Sequence, residues 1–271
     1  MYNPNSLDTV CASLAYAMGI DAPKHAAPAN ADLNAYIDQV FEGEKADRVF
    51  MYNPDAIAQW VYQKYAAFCA EATEKSGVEI PLCSVMPSVT PVCFGTMYTG
   101  AQPAVHGIQK YEKPVIKIDT LFDALLRANK KPALVTYGQC SLSKIYLERN
   151  MDYFHCEGEG ALDRANAIAA ELILRDEHDF ILVYNGNYDS SMHKNGPESP
   201  IALGELRSNV RTFATFADLI ERNWKQHNTL VGFAMDHGCH EIDGGCGSHG
   251  LDMEEDLNVV HLYRGYKKQA E

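Results

Sequence analysis

Apolar positions change their period several times along this chain. From Asp47 onward, short continuous apolar runs alternate with longer stretches at helical spacing. "RVFMY" at 48–52 reads as a strand and "AIAQWVYQKYAAFCAEA" at 56–72 as a helix. "TLFDALLRANKK" at 120–131 is a helix ending in basic residues, and "PALVTYG" at 132–138 is the strand after it. The pair recurs in "GALDRANAIAAELILRDE" and "DFILVYN", then in the long helical stretch 201–227 and "NTLVGFAMD". Continuous apolar strands between amphipathic helices predict an α/β fold, a mostly parallel central sheet with helices on both faces. Residues 1–45 depart from this rhythm. A cap signal at Ser6 precedes Leu7, Val10, Leu14 and Met18 at helical spacing, then come a Pro/Ala loop, a second helix and a polar linker. The predicted division is therefore a small N-terminal helical appendage, 1–45, and a main domain, 46–271. The near repeat of MYNPN at Met1 as MYNPD at Met51 has unmatched flanks and is treated as coincidence.

Composition narrows the partners. The 271 residues are 46% hydrophobic, enough for a full core, and carry a formal net charge of −13. That surface argues against gripping long nucleic acid by its phosphates. It leaves room for a small anionic substrate if bound cations sit at the site. No run resembles a signal peptide or is long enough to span a membrane. With eight scattered cysteines this gives the expectation of a reduced, cytoplasmic protein that engages no membrane. Nothing in the sequence assigns an oligomeric state.

The chemistry concentrates where such a sheet binds ligands, beyond the carboxyl ends of its strands. Asp55 lies just beyond "RVFMY", Asp189 a few residues beyond "FILVY", and Asp236 directly after "LVGFAM". Clustered carboxylates repel and need cations, and no Arg or Lys adjoins these three. Histidines do: His193, His237 and His249. Taken singly, each Asp is an ordinary helix cap or surface turn. Taken together, at three strand ends, they favour a mixed Asp/His site for a first-row transition metal. In "MPSVTPVCFGTMYTGAQPAVHG", Thr90 reads as an N-cap and Pro91 as the first helical residue. The same corner would suit a nucleophile, a metal ligand and an anion seat.

The ordered set resembles the alkaline phosphatase superfamily, in its nucleotide pyrophosphatase/phosphodiesterase and phosphonoacetate hydrolase branch. The resemblance rests on Asp55, on "MPSVTPVCFGTMYTGAQPAVHGI", on "YDSSMHKNGPES", on "DHG" and on "GSHG", spanning Asp55 to Gly250. It implies an alkaline phosphatase-like catalytic domain over 46–271. It also implies two divalent metal ions, zinc with manganese as a substitute. Asp55, Asp236 and His237 would hold one; Asp189, His193 and His249 would hold the other. Thr90 would attack phosphorus to give a phospho-threonine. The resemblance further implies an Asn three residues after the nucleophile. Cys93 stands there instead, with Asn185 and Asn187 as candidate substrate contacts in its place. His106, in "AVHGI", reads as structural. A Cys/His zinc site from Cys239, His240 and Cys246 is a weaker alternative, because the spacing fits no finger or ribbon.

The expected function is a two-metal phosphodiesterase or nucleotide pyrophosphatase acting on a small phosphate-containing substrate. The alternatives are a phosphomonoesterase, a phosphonate hydrolase, a phosphosugar mutase, or a non-catalytic metal- or nucleotide-binding relative. The absence of Arg and Lys from Pro91 to Gln109 favours diesters, which carry one charge on phosphorus. A basic residue from a distant loop, such as Lys194 or Arg207, would reverse that preference.

Overall fold

The computed structural model describes residues 1–269. Its helices are α1 (Thr9–Ala17), α2 (Ala31–Phe41), α3 (Gln59–Lys64), α4 (Ala66–Glu74), α5 (Thr90–Thr99), α6 (Pro103–His106), α7 (Leu121–Arg127), α8 (Leu142–Ile145), α9 (Ala161–Arg175), α10 (Asn187–Asn195), α11 (Pro200–Asn223) and α12 (Glu254–Leu257). Seven strands make the central sheet: β1 (Arg48–Pro54), β2 (Val78–Cys83), β3 (Pro132–Tyr137), β4 (Asp152–Cys156), β5 (Phe180–Asn185), β6 (Thr229–Phe233) and β9 (Asn258–Tyr266). A separate hairpin pairs β7 (His240–Ile242) with β8 (Cys246–Ser248).

The sheet order is β2-β9-β6-β1-β5-β3-β4. The run from β6 to β4 is parallel throughout, and β9 alone runs antiparallel to both its neighbours, β6 and β2. The predicted α/β sheet is thus present. Three of its strands carry no strong sequence signal. β2 is half-exposed and holds Pro81, tolerated at an edge; β4 is a largely solvated edge; β9 interrupts its apolar run with His261 and Arg264. The helix expected over 56–72 is two helices, α3 and α4, broken at Tyr65 (φ −108°, ψ 36°).

Strand periodicity explains the layers. Successive side chains of β1 point to opposite faces. Tyr52 packs on Phe213 and Phe216 of α11. Its neighbour Asn53 accepts a hydrogen bond from Tyr98 of α5 on the other side, at 2.6 Å. β1 is buried on both faces because it lies at the middle of the sheet. No helix of the described residues is long and apolar enough to cross a membrane, and all eight cysteines are free thiols.

Residues 1–45 form the two expected helices. Their Leu7, Val10, Leu14, Leu33 and Ile37 join the same buried cluster as the sheet. α1 packs on α5 and α7. The Ala27 amide donates to Gly100 O at 2.7 Å, and Leu7 N donates to Cys83 O of β2 at 2.9 Å. The segment therefore backs the helix that begins at Thr90.

Two glycines isolate that packing. Gly100 ends α5 with φ +70°, and a Cβ there would sit 2.6 Å from Ala26 Cβ and 3.0 Å from Cys11 Cβ. Gly107 ends α6 with φ +89° and has nothing within 4 Å of that position. Gly107→Ala should cost about 1–2 kcal/mol of unfolding free energy, the left-handed backbone penalty alone. Gly100→Ala should cost about 1–3 kcal/mol more, from overpacking against residues 1–45. Chemical denaturation of both variants checks this. Equal losses would mean that the segment does not press on α5.

Candidate functional site

β1 lies between β5 and β6, so the chain leaves three adjacent strands at one edge of the sheet, a switch point of the topology. Asp55 follows β1 directly. Asp189 stands in the first turn of α10, just after β5. Asp236 follows β6, whose extension is held by Ala234 N donating to Tyr52 O at 2.9 Å. The chain turns sharply after Asp55. Ala56 takes φ +62°, a left-handed conformation that costs a non-glycine residue energy, and its amide donates to Asp236 Oδ1 at 3.2 Å.

The six Asp and His residues form two sets. Asp55, Asp236 and His237 are buried together, with His237 Nε2 3.3 Å from Asp55 Oδ1 and 3.3 Å from Asp236 Oδ2. In the second set, Asp189 Oδ1 lies 3.2 Å from His193 Nε2 and 3.3 Å from His249 Nε2, and the two nitrogens are 3.1 Å apart. The imidazoles of His237 and His249 lie 4.1 Å apart between centroids, tilted by 31°, so the sets adjoin.

The donor atoms fit cations. Each histidine has its Nδ1 beside a backbone carbonyl: His193 at Gly247 O (3.0 Å), His237 at Gly238 O (3.0 Å) and His249 at Ser88 O (2.8 Å). A carbonyl only accepts, so each Nδ1 is protonated, and loss of any proton at Nε2 leaves that nitrogen's lone pair facing the site. Asp55 Oδ1, Asp189 Oδ1 and Asp236 Oδ2 are buried and have no hydrogen-bond partner. Tetrahedral ligands at bond lengths of 2.0–2.1 Å are about 3.3 Å from one another, close to the spacings found in both sets.

Electrostatics point the same way. Burial, then the charge of Asp189, push the Asp55 carboxyl up to about 7. Burial and the neighbouring Asp55 carry Asp236 well above the usual carboxylate range. Burial, with His249 beside it, drives His237 well below the ordinary imidazole value. Burial also works to raise Asp189, but His193 and His249 outweigh it and hold that carboxyl low. In return the Asp189 carboxylate lifts His193 to about 9. Among the described residues no Lys or Arg pairs with any of the three carboxylates, only histidines do, and a divalent cation relieves the repulsion.

Thr90 corrects the sequence reading in one respect. It is the first residue of α5 rather than its cap, which is Val89, and no side chain caps this helix. The hydroxyl instead faces the first set, donating to Asp55 Oδ2 at 3.3 Å and lying 3.5 Å from His237 Nε2. The anion seat at this helix start is thinner than expected. Pro91 has no N–H, and the amides of Val92 and Cys93 both close on Val89 O.

The substrate contacts expected from Cys93, Asn185 and Asn187 are not in place. Cys93 is fully buried and its Sγ accepts from Ser84 Oγ at 3.2 Å, so it offers no surface. Asn185 is buried, donating to Tyr52 Oη and accepting from the Asn187 amide. The Asn187 side chain is taken up by Tyr137 and Glu205. The cavity in front of Thr90, about 240 Å³, is lined by Asp55, Asp189, Tyr184 and Ser190 together with Tyr111, Lys113, Tyr137 and Gln139. Lys113 donates to Gln139 O at 2.6 Å and, among the described residues, has no carboxylate within 4 Å. Lys194 and Arg207 do not line this cavity; Arg207 lies over the Phe68 ring. Sequence reasoning also missed Tyr184, whose hydroxyl donates to Asp55 Oδ2 at 2.5 Å. Its place near the end of β5 is the only signal that could have found it. Lys113 sits in an aperiodic loop and gives none.

Two further readings are settled by position. Cys239, His240 and Cys246 do not gather as a metal set among the described residues. Cys239 is buried beside Tyr188, His240 pairs with Asp256, and Cys246 lies near Lys194 O. His106 is structural: its Nδ1 accepts from Ile108 N at 3.2 Å, so its Nε2 donates to Thr96 Oγ1 at 3.0 Å.

Comparison with known proteins adds lineage. Murine ectonucleotide pyrophosphatase / phosphodiesterase 5 superposes with a TM-score of 0.58 at 16% identity, covering 73% of this chain and 58% of that one. An inactive Thr-to-Ala form of that protein in complex with AMP gives 0.55 at 15%, covering 73% and 59%. Phosphonoacetate hydrolase from Sinorhizobium meliloti 1021, in complex with phosphonoacetate, gives 0.54 at 18%, covering 73% and 59%. At these identities the likeness is one of fold, and the chain spans less than two thirds of each neighbour's length. No curated protein sequence matches. The family model for type I phosphodiesterase / nucleotide pyrophosphatase matches residues 54–264, from just before Asp55 into β9. The chain belongs to the type I phosphodiesterase / nucleotide pyrophosphatase family.

Proposed function

We propose that this chain hydrolyses phosphoester bonds through a covalent phospho-threonine at Thr90, with phosphodiesters and nucleotide-like pyrophosphates as substrates. The observation that carries the reading is the seat of Thr90. Its hydroxyl caps nothing and instead faces Asp55 and His237 at the floor of a cavity that Asp189 also lines. Asp55, Asp236 and His237 would hold one divalent cation, and Asp189, His193 and His249 a second. Zinc suits this mixture of carboxylate and imidazole, and manganese is the substitute. When bound, such ions polarise phosphoryl oxygens and lower the pKa of a hydroxyl or a water.

The chain's own groups then divide the work. Asp55 Oδ2 orients the Thr90 hydroxyl by accepting its proton in a hydrogen bond, and Tyr184 fixes that carboxylate oxygen from the other side. The Thr90 oxygen bonds to phosphorus as the bond to the leaving oxygen breaks, the leaving oxygen taking the electron pair and the former hydroxyl proton. Water then displaces the threonine, releasing the phosphate product and restoring the hydroxyl. Family membership supports this chemistry, as does the inactivity of the murine Thr-to-Ala form. A second reading, a phosphonate or other substrate with an extra acidic group, is favoured by one observation. Lys113 brings to the cavity a cation that no carboxylate neutralises.

Thr90→Ala should lower turnover by roughly a thousandfold or more, the scale of losing a covalent nucleophile. Because the hydroxyl caps nothing, the unfolding midpoint should barely move. Steady-state rates with a calorimetric melt test both halves, and near-wild-type turnover would remove Thr90 from the mechanism.

Elemental analysis after zinc saturation and desalting should find two ions per chain. Chelation should abolish activity, with recovery on adding Zn²⁺ or Mn²⁺. A stoichiometry of one or none would sink the two-set assignment.

An aryl phosphodiester should be hydrolysed with higher kcat/KM than the matching monoester at equal pH and metal load. Lys113→Met should leave the diester within about twofold but slow monoesters and phosphonoacetate about tenfold, roughly 1.4 kcal/mol. A monoester preference in the wild type that Lys113→Met removes would reverse the assigned substrate class.

A further inference from the structure

The hairpin that delivers His249 has little packing of its own. Residues 241–245 are exposed, and only Gly247 within it is buried. It is held to α10 through His193 Nδ1 donating to Gly247 O at 3.0 Å, and at both its ends by one side chain outside both Asp/His sets. Asp256, fully buried at α12, accepts from His240 Nδ1 at 2.7 Å through Oδ1 and from Leu251 N at 2.8 Å through Oδ2. These are the two ends of the loop. His240 opens β7, and Leu251 lies two residues beyond His249.

The same short segment also receives the stretch that carries Asp236 and His237. Gly238 N donates to Asp256 O at 2.8 Å and Cys239 N to Glu255 O at 3.0 Å. Contact there is so close that a Cβ on Gly238 would lie 2.0 Å from Glu255 O. Trp60 Nε1 holds Cys239 O from the opposite side at 2.7 Å. The backbone bonds thus secure the Asp236–His237 stretch, while the Asp256 carboxylate bonds to both ends of the His249 loop. Ser88 completes the hold, accepting from His249 Nδ1 through its carbonyl and from Gly250 N through Oγ.

We propose that Asp256 is a positioning residue for the Asp189, His193 and His249 set: it clamps the 240–251 loop so that His249 Nε2 stays within reach of its two partners. The proposal rests on the reading of those six residues as metal ligands and goes beyond it by naming what keeps one set assembled. A residue that only stabilised the fold would affect both sets alike. Asp256 should affect one, because the Asp55, Asp236 and His237 set hangs on buried strand ends and on backbone bonds that a side-chain substitution spares.

The test is stepwise Zn²⁺ titration of chelator-treated full-length protein against a chromophoric competitor, with Co²⁺ absorption as a second readout of coordination. Wild type should take up two ions. Asp256→Ala should keep one at near-wild-type affinity and weaken the other about tenfold, the low end of the scale for losing a direct outer partner of a metal-bound histidine, since Asp256 acts through the loop. Asp256→Asn, which can still accept one of the two N–H groups, should fall between. His240→Ala removes a single arm of the clamp and should weaken the same ion by a few-fold; it decides the matter if Asp256→Ala fails to fold. Unchanged affinity for both ions in a folded Asp256→Ala, or in His240→Ala where that variant decides, overturns the proposal. So does equal weakening of both. Wild-type protein that binds no ion overturns the metal reading and this proposal with it, which is a different result from a wild type with two ions and indifferent variants.

Discussion

Everything near the site follows from placing three carboxylates at the ends of three adjacent strands. Two unit charges 4 Å apart repel by about 4 kcal/mol even at an effective dielectric of 20, and burial adds a desolvation cost. Such a cluster persists only if the scaffold is stiff and a countercharge is available. The stiffness comes from β1, buried on both faces and paired on both edges. The countercharge has a prepared seat: three unpartnered carboxylate oxygens, and three histidines whose Nδ1 protons are already committed to backbone carbonyls.

The arrangement is asymmetric. Asp55, Asp236 and His237 are sealed in the interior, whereas His193 is 41% exposed along its side chain. The first set is reached through the cavity beside Thr90, and its members come from strand ends. The second draws one residue pair from α10 and one histidine from a surface hairpin. Family membership covers both sets, since the match runs from 54 to 264.

Much of this is legible in the sequence, for reasons that can be stated. Buried parallel strands announce themselves as continuous apolar runs, so β1, β3, β5 and β6 are readable, and with them the edge where Asp55, Asp189 and Asp236 emerge. β2, β4 and β9 are not. Each mixes polar residues or proline into its run, because it faces solvent or a partly solvated layer. Thr90 shows the limit of local reading. A shift of one residue at the helix start decides whether its hydroxyl caps a helix or faces the Asp55, Asp236 and His237 set, and composition is the same either way. Tyr184, Lys113 and Asp256 act through space. Tyr184 meets Asp55 across the β1–β5 pair, and Asp256 meets Leu251 only once α12 has folded back on the loop. Cys93, Asn185 and Asn187 are polar residues near the right motifs whose hydrogen bonds are spent inside the scaffold.

The single antiparallel strand has a bearing on how the molecule is made. β9 is encoded after every other strand of the sheet, yet it sits inside the sheet, between β6 and β2. Until the ribosome has delivered it, β6 presents an unpaired flank and β2 has no sheet to join. The N-terminal segment bonded to β2 at Leu7 and Cys83 then has nothing to dock on there. Between the synthesis of β6 and that of β9 the nascent chain therefore carries an open, apolar strand edge, the kind of surface that invites pairing with another chain. β9 and β2 would then close this side of the sheet together, in one late step.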